Sequence, residues 1–345
     1  MEQESSAESF PSDSLFAALM AALVDLKGGQ AADNFAAEWP QPDQPSIEPP
    51  FRLSSLFPYA GDLPLLPMPR LRVMVKTEDQ TKAGKQFKKL EYVSPVILKR
   101  LLAGENMDGW LPEKNTKTNG LLLQKGKVWL SRDEQKLLPA SWQTLDIDQL
   151  KEQSVWKSEP VPRVTIDRIS NASTIYHTGR TTFAQGCGLW LLVEVNRQQD
   201  LLETLLADLA DRGIGGKRVA GYGGFSLDTI ATPNLPTTDR CVRVMTLSRY
   251  IPTQVEWKAG VLGENASYEL VDVGGWLASP TGPAQRRKRV RLIEAGSVLD
   301  SSQLRTITGQ IVDVRPEYDQ PGAPQHPVYR SGIALTIGVT AKERD

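Results

Sequence analysis

The sequence predicts an α+β fold, most simply two ferredoxin-like units side by side, and three observations carry that reading. Strand candidates outnumber helices and are separated by Gly, Pro and Asp. The second half runs strand, helix, glycine loop, strand through "GLWLLVEV", "QDLLETLLADLADRG" and "GIGGKRVAGYGGF". No self-similarity at a short fixed period points to a solenoid. At 345 residues the chain is long for one domain and comfortable for two. The division is placed at residue 160, with a first unit over 1–160 that holds irregular insertions and a second over 161–345 that carries the glycine loop.

The elements follow in order. "SDSLFAALMAALVDL" sets Leu15, Phe16, Leu19, Met20, Leu23 and Val24 at helical spacing, with Ser12 or Asp13 in position to cap. Gly28 to Pro50 reads as a connection, and the four prolines of "LFPYAGDLPLLPMPRL" exclude a regular helix or a central strand. The lysines around Thr77 to Gly84 read as a solvated loop. "SPVILKRLLAG" is a short helix, and "GLLLQKGKVWL" is a hairpin turning at Lys-Gly. "VPRVTIDR" alternates as a strand should, and "GLWLLVEV" is apolar enough for a central one. In "QDLLETLLADLADRG", Asp200 and Glu203 form a candidate capping box, and Gly213 ends the helix. Further strands are expected in "RCVRVMTL", "SYELVDVGGW", "KRVRLI", "GQIVDV" and "IALTIGV".

Composition narrows the function. No apolar run approaches the roughly 18–20 residues of a membrane span, and the acidic start lacks the basic region of a secretory signal, so a cytoplasmic protein is expected. Cys187, Cys241, His177 and His326 offer neither a CxxC pair nor metal-ligand spacing, so no metal and no cofactor is expected. A net charge of −1 conceals polarity along the chain. The first fifty residues hold nine acidic side chains and one base, whereas "RRKRVR" at 286–291 places five cations in six positions. Were that run a single strand, its cations would point to both faces, and an anionic partner would relieve the conflict.

Six glycines and two cations crowd into the thirteen residues from Gly213 to Phe225. Such density implies positive φ or close approach of a ligand to the main chain. The loop is not a Walker motif, because Asp211 stands where its first glycine belongs and Arg218 follows Lys217. Nor is it a dinucleotide fingerprint, since the third glycine position is Arg218 and a helix precedes the segment. Two readings stay open. Free backbone N–H groups with Lys217, Arg218 and Tyr222 would suit RNA phosphates and an unpaired base, or the loop is a tight connection with Tyr222 in the core.

"ADRGIGGKRVAGYGGFSL" resembles the glycine-rich loop of the RAMP superfamily of CRISPR proteins, which are built from RRM-like, ferredoxin-fold domains. "FPSDSLFAALMAAL", "VTIDRISNAST" and "SYELVDVGGWLASPTGPAQRRKRVRLIEAGSVL" narrow the resemblance to the family of subunit four of the type III-A Csm effector complex, in order from about Phe10 onward. The resemblance implies a non-catalytic antiviral-defence subunit that grips the repeat-derived 5′ handle of the guide RNA (crRNA). It further implies contacts with the large polymerase-like (cyclase) subunit and with an adjacent backbone RAMP subunit, and none with a membrane. Carried over by position, Gly215, Gly216, Lys217, Arg218, Gly221, Tyr222 and Gly223 match the handle-binding loop, and Arg286, Arg287, Lys288 and Arg289 the basic segment near RNA. Arg168, Asn171 and Ser173 match a segment close to guide RNA, although Asp167 with Arg168 reads equally as a local ion pair. Family members begin with a strand, and "MEQESSAESFP" is too polar and short to serve, so two expectations stand: the chain starts at an internal methionine, or the first sheet lacks its edge.

A competing class is a metal-independent RAMP endoribonuclease using His177, with Tyr176 and Arg180 beside it in a loop. No second histidine, carboxylate cluster or activated nucleophile accompanies it in sequence, and a binding module is the expectation. A pure scaffold would keep the fold without RNA contacts, which the basic block argues against.

Overall fold

The computed structural model describes residues 7–75, 80–111, 118–166, 173–216, 218–239, 241–277, 285–316 and 326–340. The α+β class holds, with helices packed on many small sheets. The first helix, Ser12–Lys27, buries Leu15, Phe16, Leu19 and Leu23 as its spacing requires, while Val24 is exposed. Its cap differs from expectation. Pro11 precedes the first turn without a side-chain cap, and Ser12 and Asp13 lie inside the helix. Asp13 is fully buried and ion-paired with Arg249 at 3.2 Å and Arg330 at 2.9 Å, a stronger use of a carboxylate than capping. These pairs tie the helix to the last third of the chain.

The connection expected over Gly28–Pro50 contains a second helix, Gly29–Ala36. Ala32, Phe35, Ala36 and Trp39 make a buried stripe at spacings of three and four that the neighbouring Gly, Asp and Asn residues obscured. Trp39 meets Phe16 and Phe51 edge-on, with centroids 4.9 and 5.0 Å apart. The lysine-rich segment is likewise helical over Gln80–Phe87 where a loop was expected.

Prolines did not exclude a central strand. Phe57–Ala60 lies between Leu63–Pro64 and Cys187–Trp190. Pro58 lacks a donor, yet its carbonyl accepts from Leu65 at 3.0 Å, and a four-residue strand tolerates one missing bond. "GLWLLVEV", in turn, is two short strands, Cys187–Trp190 and Val193–Val195, each at a sheet edge. Ser54 causes the break: its N–H donates to Leu192 O at 2.9 Å, and its Oγ accepts from Leu192 N–H at 2.8 Å. Phe10 makes only an isolated antiparallel bridge to Leu56. The hairpin Gly120–Leu123/Val128–Ser131 and the Ser94-capped helix Pro95–Leu102 form as read from sequence.

Strand pairing crosses the 160/161 division. Phe51–Leu53 pairs with Val193–Val195, and residue 160 lies within Trp156–Ile166, which pairs along its length with Ser173–Phe183. In the second half Arg243–Thr246 is central between Val298–Asp300 and Thr336–Val339, and Gly309–Asp313 pairs with Tyr329–Ile333. The helix Gln199–Arg212 buries Leu202, Leu205 and Leu209 in the cluster built by the first two helices, where each leucine contributes about 1.5–3 kcal/mol. Its capping box does not form: Gln198, in the left-handed region at φ 63, precedes the helix, and Glu203 accepts from Gln199 Nε2 at 2.8 Å.

Candidate nucleic-acid interface

The glycine loop hangs from the helix Gln199–Arg212, whose leucine face is buried, and divides into a closed neck and an open crown. Gly213 ends the helix at φ 77, donating to Leu209 O at 2.8 Å, and Ile214 N–H donates to Gly223 O at 2.9 Å. A Cβ on Gly223 would lie 1.9 Å from Ile214 O, and one on Gly213 would lie 2.8 Å from the Gly223 carbonyl carbon. Ile214 and Phe225 pack against the core beneath. These two glycines close the neck, because no side chain fits there.

The crown is different. Gly215, at φ 100, Gly216, and Gly221, at φ 80, are exposed, and among the described residues a Cβ on any of them meets nothing within 4 Å. Their backbone is open to a ligand, and Arg218 is exposed beside them. Lys217 lies outside the described residues.

Tyr222 joins the loop to the long hairpin Trp156–Ile166/Ser173–Phe183. Arg163 Nη2 donates to the Tyr222 hydroxyl at 2.9 Å, and the guanidinium stands 5.5 Å from the ring centroid. Tyr222 is half-buried rather than in the core. Sequence reading missed Arg163, since its partner is 59 residues away along the chain. Much of the hairpin is solvated, with Val164, Ile166 and Ile175 exposed towards its far end. Arg180 pairs with Glu159, whose hydrogen bond holds the guanidinium above its ordinary pKa. Ser173 is exposed at the start of its strand; Arg168 and Asn171, with Asp167, lie outside the described residues. His177, expected in a loop, is an exposed strand residue opposite Pro162.

The basic block stands on another ribbon and is not one strand. Gln285–Arg286 pairs with Trp276–Leu277, and Val290–Ile293 pairs with Leu270–Val273. Between them Arg287 turns inward, its Nε and Nη2 donating to Gly274 O at 3.1 and 2.7 Å. Burial, and then Arg330, pull its pKa below the usual guanidinium value, with Asp13 opposing. The conflict expected of cations on both faces is therefore met internally at Arg287, without an anionic partner. Arg286 lies over the Trp276 ring at 4.9 Å, Lys288 and Arg289 are exposed, and Arg291 pairs with Asp272 at 2.9 Å. Among the described residues no group of three His, Cys, Asp or Glu side chains converges on a metal-sized site, and no helix is long and apolar enough to cross a membrane.

Known proteins with this pattern are specific in kind. The family described as the CRISPR Csm4 C-terminal domain matches residues 241–339, which include the basic block. A Streptococcus thermophilus protein named CRISPR system Cms protein Csm4 is 27% identical over 326 residues, covering 91% of this chain and 87% of its own. The chain is similar to Csm4 proteins over most of its length. The fold agrees with Csm4 along its length. The crystal structure of a Csm3–Csm4 subcomplex in the type III-A CRISPR-Cas interference complex matches with a TM-score of 0.64 at 18% identity, over 97% of both chains. A Csm1–Csm4 cassette in complex with cA4 matches with a TM-score of 0.52 at 17% identity, over 99% of this chain and 97% of that one. The Csm4 resemblance expected from the sequence is thus the one found.

Proposed function

We propose that the chain is a non-catalytic RNA-binding subunit of a type III-A Csm interference complex, gripping the repeat-derived 5′ handle of the crRNA. It docks the large polymerase-like subunit, in keeping with the Csm1–Csm4 cassette, and an adjacent backbone RAMP subunit, in keeping with the Csm3–Csm4 subcomplex. The reading places the work in the cytoplasm and needs no cofactor. It also retains two ferredoxin-like units divided near residue 160, the second carrying the glycine loop.

One observation carries the RNA reading: a glycine crown whose Cβ positions meet nothing within 4 Å among the described residues, held by a hydrogen-bonded neck. Phosphates approach such a main chain closely and receive its N–H groups, while Arg218 supplies charge. Conformation alone explains glycine at the neck. It does not explain Gly216, whose φ is ordinary and whose surroundings are empty. A gel shift comparing a handle-bearing RNA with the same RNA lacking its handle tests the proposal. Tighter binding of the handle-bearing RNA is expected, and equal affinity would overturn it.

A further inference from the structure

Trp276 is the most conspicuous side chain on the basic ribbon that neither the fold nor the glycine loop uses. It is 63% exposed. Strand alternation accounts for its direction: Trp276 is in register with Arg286, and Leu277 with Gln285. Gln285 is buried at 4% and Leu277 half-buried, so Trp276 and Arg286 share the outward face. The Arg286 guanidinium covers the indole at 4.9 Å from its centroid, fixing the ring's orientation. Arg287 fixes the backbone from below by its two hydrogen bonds to Gly274 O. Gly275 permits this, at φ 136, because a Cβ there would stand 2.6 Å from Arg287 Nη2. The ribbon thus holds a large aromatic ring at the surface on a braced backbone.

Resting on the proposed RNA-binding function, we propose that Trp276 is a stacking platform for one unpaired base of the bound RNA, with Arg286 completing the sandwich and Arg289 contacting the backbone beside it. Its neighbours favour nucleic acid over protein. The centre of a protein interface takes Trp and Arg but is depleted of lysine, and its surroundings exclude water. Here the ring has a guanidinium on it, and Lys288 and Arg289 are exposed close by in the chain. Cation and aromatic face together suit a base with its phosphate, whatever the base, since every base has a π-face.

The test is RNA affinity measured by gel shift and fluorescence anisotropy with handle-bearing RNA, using Trp276→Ala, Trp276→Leu and Trp276→Phe. Loss of one stacked base weakens binding by about tenfold, within the range known for aromatic platforms. Phe should restore most of the affinity and Leu should not, because stacking needs a π-face whereas apolar packing does not. RNAs carrying one abasic nucleotide at successive positions should reveal a single position whose loss costs wild type as much as Trp276→Ala and costs the variant nothing further. Thermal unfolding of all three variants should match wild type, which separates binding from folding. Wild type that binds handle-bearing and handle-lacking RNA equally would sink the function beneath this inference. Handle-dependent binding left unchanged in Trp276→Ala, or equal rescue by Leu and Phe, would sink the platform alone. Unchanged RNA affinity with loss of co-purifying Csm subunits would reassign Trp276 to a protein contact.

Discussion

The glycine loop and the basic ribbon look alike in sequence, each a short run of one residue type, and the structure divides both by the same rule. In the loop, Gly213 and Gly223 close the neck, where a Cβ would collide with backbone, while Gly215, Gly216 and Gly221 face open space. In the ribbon, Arg287 hooks inward onto Gly274 O, while Arg286, Lys288 and Arg289 stay outside. The difference lies in what holds each frame. The loop is braced by backbone contacts that only glycine allows, and the ribbon by one guanidinium that is itself partly desolvated. A run of identical residues is therefore not a site. Its members that face open space are candidates, and its members held by close contacts are the support.

The largest expected effect separates neck from crown. Gly223→Val should destabilise the protein, since the φ of +84 alone costs roughly 1–3 kcal/mol and the Cβ overlaps Ile214 O. Thermal unfolding should fall and RNA affinity with it. Gly216→Val should leave unfolding unchanged and weaken handle binding, because its Cβ enters only the space a phosphate would use. Equal melting temperatures for the two variants would erase the distinction between neck and crown.

A smaller effect divides the ribbon in the same way. Arg287→Ala removes two charge-assisted hydrogen bonds to one carbonyl and should cost about 1–3 kcal/mol of stability. Arg289→Ala, at an exposed position, should leave stability within about 0.5 kcal/mol of wild type. If Arg289 meets a phosphate, its removal lowers the slope of log affinity against log salt by about 0.7 for a single strand. Denaturant titration reads the first and salt-dependent anisotropy the second. The comparison breaks if Arg287→Ala changes the salt slope without lowering stability.

How far these distinctions were legible in sequence depends on the range of the contact that makes them. Short-range features were readable: the apolar face of the first helix, the Lys-Gly hairpin, the short helix in "SPVILKRLLAG", and Gly213 at its helix end. The resemblance to Csm4 was readable too, through the glycine loop and the "GGW" to "RRKRVR" block. Neck and crown were not, since the clash at Gly223 is with Ile214, nine residues back. Arg163 on Tyr222 depends on pairing across 59 residues, and Asp13 between Arg249 and Arg330 on pairing across most of the chain. The second helix was hidden because Gly28, Gly29 and Asn34 carry turn propensity that tertiary burial of Phe35 and Trp39 overrides. Pro58 in a central strand fails a sound rule for a local reason: the strand is only four residues long.

The smallest expected effect is none at all, and it tests whether the hairpin that meets the loop at Tyr222 supports chemistry beside the binding by loop and ribbon. General acid–base work on RNA needs a group within hydrogen-bond reach of the ribose hydroxyl and a second group to protonate the leaving oxygen. His177 is an exposed residue of the long hairpin, opposite Pro162, which offers no side-chain proton to relay. Its neighbour Arg180 is engaged by Glu159, whose carboxylate offsets the charge a phosphate would seek. His177→Ala should therefore leave labelled handle-bearing RNA as intact as wild type does, with and without divalent metal, over hours of incubation. Site-specific cleavage by the purified wild-type chain that disappears in His177→Ala would make the hairpin a catalytic element and end the treatment of loop and ribbon as binding surfaces alone.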